Sequence, residues 1–182
     1  MTTRNYFALL RGINVGGRNM IPMADLKKLF EENGFTNVST YLQSGNVVFQ
    51  SDFSNGKEIE ILLKQSIHEV FKLQLDVIVK PADVLTELIL HNPFKEQIKL
   101  EGDKTGAAFL SDIPTMASIE NLQQFDRLSD EYEIFQDYVY VYCPNGFGRA
   151  RITNAVLESK LKVRSTIRNW KTIQALQNIC SR

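Results

Sequence analysis

The stretch Asn37–Ser51, NVSTYLQSGNVVFQS, decides the fold. Val, Thr, Tyr and Phe recur in its two arms, and Ser44-Gly45-Asn46 lies between them. That combination predicts a hairpin of strands over 37–43 and 46–51. The flanks say which fold holds the hairpin. Upstream, IPMADLKKLFEENGF (21–35) puts Met23, Leu26, Leu29 and Phe30 on one helical stripe, with Pro22 in the first turn and Gly34 at the end. Downstream, KEIEILLKQSIHEVFKL (57–73) aligns Ile59, Leu62, Leu63, Ile67, Val70 and Phe71 in the same way. Outside the helices stand NYFALLRG (5–12) and DVIVK (76–80), short apolar runs of the kind that form buried strands. The order is β-α-β-β-α-β, the ferredoxin-like split unit.

The pattern then starts again. After a linking helix over 82–91 and a polar loop over 92–103, TGAAFLS (105–111) reads as a strand and TMASIENLQQF (115–125) as a helix. EYEIFQ and YVYVYC form a second hairpin around Gln136-Asp137, and ITNAVLESKLK (152–162) is a further helix. In IRNWKTIQALQNIC (167–180), Ile167, Trp170, Ile173, Leu176 and Ile179 recur at near-helical spacing, so this segment reads as one more helix. The expected fold class is α+β, with two ferredoxin-like halves packed as one compact unit. Residues 1–91 form the first half with its linking helix. Residues 92–182 form the second, which is read as lacking its final strand and carrying an extra C-terminal helix.

The bulk numbers exclude several classes. In 182 residues, 43% apolar and 23% charged, there is enough core for a globular protein and no disordered or low-complexity tract. No apolar run approaches the roughly 18 residues of a membrane helix. No signal-peptide pattern is seen, and with two isolated cysteines, Cys143 and Cys180, a reducing cytoplasmic location is expected. His68 and His91 lack partners at ligand spacing, so no metal is expected, and no cofactor motif appears. The net charge of zero is unevenly spread. Residues 145–182 carry eight Lys or Arg against one acid, Glu158, a net of +7 that leaves −7 on residues 1–144. An anionic partner for the tail is one explanation, and neutralisation against the acidic body is the other.

Two loops could hold an anion. RGINVGGRNMIP (11–22) joins a strand to a helix and offers Arg11, Gly16, Gly17 and Arg18; glycine amides in such a turn can form an anion nest. It is neither a P-loop nor G-x-G-x-x-G. CPNGFGRARITNA (143–155) supplies Gly148, Arg149 and Arg151 ahead of a helix, and RSTIRNWKT (164–172) adds Thr166, Arg168 and Asn169. Guanidinium forks suit phosphate or carboxylate. The plainer alternatives are a Gly-rich strand-to-helix turn and a capped helix start with solvated charges. In YVYVY, Val139 and Val141 should face the helices, with Tyr138, Tyr140 and Tyr142 on the other face. Those tyrosines are either a base-stacking platform or, as favoured here, a buried interface. No nucleophile–base pairing is visible, so no catalytic residue is assigned and whether the chain is an enzyme stays open.

The motifs ALLRGINVGGRNMIPMADL, YLQSGNVVF, NPF, YCPNGFGRARITNAVLESKL and TIRNWKT, in this order, closely resemble the bacterial domain-of-unknown-function family sixteen-ninety-seven, from about Tyr6 to Leu176. The resemblance implies a small soluble bacterial protein with a duplicated ferredoxin-like architecture. It brings no mechanism. Where the family commonly has Lys after Gly-Arg, this chain has Ala150-Arg151. Its TTRNW reads TIRNW here, which removes a hydroxyl at Ile167. On the residues, the expected role is a binding module for a nucleotide, phosphorylated metabolite or nucleic-acid segment. The alternatives are a homo-oligomeric partner protein using the tyrosine face, and an enzyme acting on a phosphorylated small molecule.

Overall fold

The structure, a computed structural model, describes residues 3–181. By internal contacts the chain forms two compact units, Met1–Glu87 with Ala175–Arg182, and Leu88–Gln174. The expected α+β duplication is present, with one four-stranded antiparallel sheet in each unit.

The first unit runs β1 (Arg4–Leu10), α1 (Met23–Glu32), β2 (Thr36–Tyr41), β3 (Asn46–Ser51), α2 (Gly56–Phe71), β4 (Val77–Pro81) and α3 (Asp83–Leu90, of which Leu88 onward counts with the second unit). Its sheet order is β2-β3-β1-β4. Asn55 caps α2 by accepting from the Lys57 amide, and Lys72 ends it in the left-handed region. Strand alternation turns Tyr6, Ala8 and Leu10 of β1 and Val47 and Phe49 of β3 toward the helices. There Phe30, Phe35 and Phe49 pack ring on ring, with centroids 4.8 to 5.8 Å apart. The opposite face, including Phe7, Leu9, Val48 and Ile78, is buried too. At the hairpin, Gly45 has φ +72°, and a Cβ there would stand 2.7 Å from Leu10 Cβ, so no larger residue fits.

The second unit runs α4 (Lys95–Glu101), a short 3-10 turn, β5 (Thr105–Leu110), α5 (Met116–Gln123), β6 (Glu131–Phe135), β7 (Tyr138–Tyr142), α6 (Asn154–Leu161), β8 (Ser165–Asn169) and α7 (Trp170–Cys180, whose last turns count with the first unit). The sheet order is β6-β7-β5-β8, and Val139, Val141, Ala108 and Leu110 face a core completed by Leu122, Ile152, Leu157 and Leu161. Thr115 and Thr153 cap α5 and α6 through their hydroxyl oxygens.

Three expectations need correction or completion. The second half does not lack its last strand: Ser165–Asn169 is β8, paired antiparallel with β5 from Gly106↔Asn169 to Leu110↔Ser165. Ile167 at helical spacing from Trp170 disguised it, and the helix begins only at Trp170. The polar loop over 92–103 contains α4, a helix with no buried residue and hence no apolar stripe to betray it. Tyr138 and Tyr140 are buried and Tyr142 is half-buried, so these three tyrosines form no exposed stacking platform.

Candidate functional site

The loop from β7 to α6 is built by an acid far away in sequence. Asp130, only 3% exposed, accepts from the amides of Arg151 (2.6 Å) and Ile152 (3.0 Å) through one carboxylate oxygen. Arg127 donates to the Asp130 carbonyl at 2.8 Å and lies over the Tyr132 ring. The Arg151 guanidinium reaches the Asp126 carbonyl and stacks over Phe125. Gly146, at φ +79°, turns the chain into a 3-10 turn, Phe147–Arg149. Phe147 folds inward over Gly106 of β5, where a Cβ would meet its Cζ at 3.0 Å and the Arg168 carbonyl at 2.4 Å.

This leaves a cleft of about 360 Å³ lined by Phe147, Ile152, Thr153, Asn154, Ile167 and Asn169. Its polar groups are partly committed. Asn154 Oδ1 accepts from the Ser165 hydroxyl, and Asn169 Oδ1 accepts from the Thr172 amide. Arg149 and Gly148 are exposed on the same turn as Phe147. The Arg149 guanidinium has no hydrogen-bond or ion-pair partner among the described residues.

The sequence-derived site residues distribute as follows. Gly148, Arg149, Arg151, Thr166, Arg168 and Asn169 all lie in the second unit. Gly148 and Arg149 share the turn that walls the cleft, and Asn169 lines it. Arg151 is spent on the loop itself. Thr166 and Arg168 alternate with Ile167, which packs on the helix-side core, so they face the opposite side of the sheet with Ala107 and Tyr140. Arg168 there donates to the Thr166 hydroxyl at 2.7 Å, and burial pulls its guanidinium down to about 10. Arg11, Gly16, Gly17 and Arg18 belong to the first unit. Gly16 and Gly17, at φ +56° and +73°, form the tip of a small finger closed by Arg18 N donating to Val15 O. Asn14 ties its base, donating to Ile21 O and Gln43 O and accepting from Ile21 N. The finger precedes α1 without being its N-terminus. Arg18 is exposed and has no partner among the described residues.

Sequence reasoning missed Asp130 and Asp126, which sit about a strand-hairpin away from the loop they hold, with no local spacing to reveal them. It also missed a cluster at the β5 entrance. Glu101 accepts from Lys104 Nζ at 2.7 Å and from the Tyr142 hydroxyl at 2.9 Å. Lys104 holds the Glu101 carboxyl below its usual range, and the hydrogen bond to Glu101 pushes the Tyr142 phenol up. The three groups clamp one another. Burial raises the thiols of Cys143 and Cys180 to about 12 and about 11, so neither is a thiolate nucleophile at neutral pH. Among the described residues no cluster of His, Cys, Asp and Glu is placed to hold a metal, and no helix is long and apolar enough to cross a membrane.

A search of the curated proteins gives no match. Among solved structures, the chain resembles the conserved bacterial protein SP0830 from Streptococcus pneumoniae, with a TM-score of 0.73 at 20% identity, covering 98% of this chain and 99% of that one. A likeness at that identity establishes the shared fold. The family described as "Protein of unknown function (DUF1697)" matches residues 2–140, well over half of the sequence. The chain belongs to that family.

Proposed function

We propose that the protein is a binding module for a small anionic molecule bearing a phosphate or carboxylate, held by the second unit. The anion lies on the Arg149 guanidinium beside Gly148, and the remainder of the ligand enters the cleft between the 3-10 turn and β8. The observation that carries this reading is the contrast between Arg149 and its neighbours. Arg151 and Arg168 are engaged in the fold, whereas Arg149 stays exposed, with no side-chain partner among the described residues, on a 3-10 turn directly ahead of the Arg151–Ile152 backbone that Asp130 holds in place. A planar fork kept free on a fixed support gives bidentate recognition at little cost in ordering. Asn169 and Thr153 supply polar contacts at the cleft wall.

Calorimetric titration with pyrophosphate, a nucleoside monophosphate and a dicarboxylate tests it. Saturable binding by one of the three is expected, weakened at least about tenfold by Arg149→Ala, a loss in the range of one charge-assisted contact. Arg18→Ala on the finger of the first unit should leave it unchanged. Absence of saturable binding up to millimolar ligand, or equal affinity in Arg149→Ala, defeats the assignment.

A further inference from the structure

Strand β6 ends the second sheet, with β7 as its one neighbour. Antiparallel pairing leaves every second residue of such a strand with its N–H and C=O directed away from the sheet. The two edges of the first sheet are blunted. β2 is broken by a bulge between Thr36 and Ser39, with Asn37 at φ +51°, and β4 ends on Pro81. β6 pairs in unbroken register from Glu131↔Tyr142 to Phe135↔Tyr138 and contains no proline.

Beside this edge runs a groove of about 550 Å³ between β6 and α5. Its walls include Ile113, Pro114, Met116, Ile119, Tyr132 and Ile134. Ile113 is 68% and Met116 72% exposed, large apolar side chains left to water on the rim. The residues of β6 alternate. Tyr132 and Ile134 pack on the core beside the groove, while Glu131 and Glu133 between them stay exposed and outside any ion pair among the described residues, Glu133 also lining the groove's rim.

We infer that β6 is a strand-addition site for an extended peptide in which apolar residues alternate with Lys or Arg. The peptide backbone completes the open ladder. Its apolar side chains enter the groove over Met116 and Ile119, and its cations lie across from Glu131 and Glu133. Directly opposed cross-strand residues stand about 5 Å apart, close enough for these charges to select. The same charges argue against a second copy of this chain as the occupant. Antiparallel pairing of β6 with itself about Glu133 sets that carboxylate against its own copy, and like charges in that position repel.

A fluorescein-labelled nine-residue peptide of alternating valine and lysine, titrated into the full chain and read by anisotropy, tests the inference. Saturable binding is expected, with protection of the β6 amides from hydrogen exchange. Glu133→Lys should weaken it about tenfold and shift preference toward a valine–glutamate peptide. Met116→Glu should weaken both, with folding checked by circular dichroism. N-methylation of alternate peptide amides should abolish binding on one edge. The inference is overturned by equal binding of the acidic peptide to the unchanged protein, by indifference to N-methylation, by no saturable binding at millimolar peptide, or by a dimer in light scattering that Glu133→Lys disperses.

Discussion

The two sheets can be laid on each other residue for residue, because Leu10 and Leu110 hold the same place. Each donates its amide into the loop of its own hairpin (Gly45 O and Asp137 O), and the next residue of each donates to the residue preceding the last strand (Asp76 O and Arg164 O). On that register Tyr6 corresponds to Gly106. In the first unit the Tyr6 ring stacks on Phe49 at 6.0 Å and its hydroxyl donates to Phe53 O. In the second unit the strand has no side chain there, and Phe147 fills the space from the β7–α6 loop. The Gly- and Arg-bearing insertions also fall at different points. The first follows β1, the second follows the third strand of its sheet, and the corresponding connections, 52–55 and 111–115, are short. Duplication therefore preserved the frame while each copy placed its elaborated loop at a different strand end.

The contrast can be broken in several ways. The largest effect is expected in the aromatic core. Phe49→Ala should cost about 3–5 kcal/mol in denaturant unfolding, and an equal or larger loss for Leu157→Ala in the aliphatic core of the second unit would erase the distinction. Next comes Gly106→Ala. Its Cβ collides with the Arg168 carbonyl and the Phe147 ring, so a loss of about 1–3 kcal/mol is expected; a neutral result would show that the loop does not seal the sheet. Asp130→Ala strips two loop amides of their acceptor and should cost a similar amount, about 1–3 kcal/mol, and should also loosen hydrogen exchange at Arg151 and Ile152.

The buried Cys143 gives a smaller, pH-dependent effect. Its folded thiol ionises only near 12, against 9 when unfolded, so the unfolded state releases its proton first as pH rises. Stability is fully present below pH 9 and should fall by at most about 1.4 kcal/mol per unit above it. Cys143→Ala should flatten that slope. The smallest effect is on Arg149→Ala, which should change stability by less than about 0.5 kcal/mol; a larger loss would mean that the guanidinium serves the fold rather than a ligand.

The sequence showed most of the frame, because the Asn37–Ser51 hairpin between two amphipathic helices leaves few ways to bury both faces. What escaped had no periodic signal. β8 is polar and runs straight into α7, whose spacing swallowed Ile167. The β-branched pair Thr166-Ile167 and the fourth strand that a split β-α-β unit requires were the signals that could have restored it. Helix α4 buries no residue fully and so writes no stripe. For the site, the glycines and arginines were visible as candidates, but their commitments were not. Whether a guanidinium is free depends on Asp126, Asp130 and the pleat of β8, which only folding brings to bear.

Because the ring over Gly106 is lent by the 3-10 turn, the turn cannot fray by itself. Lifting it would uncover the strand beneath, so the β7–α6 segment should open with the cooperativity of the sheet rather than of a surface loop. Amides near Phe147 would then exchange on the timescale of their β5 neighbours, slower than the exposure of Gly148 and Arg149 alone would suggest.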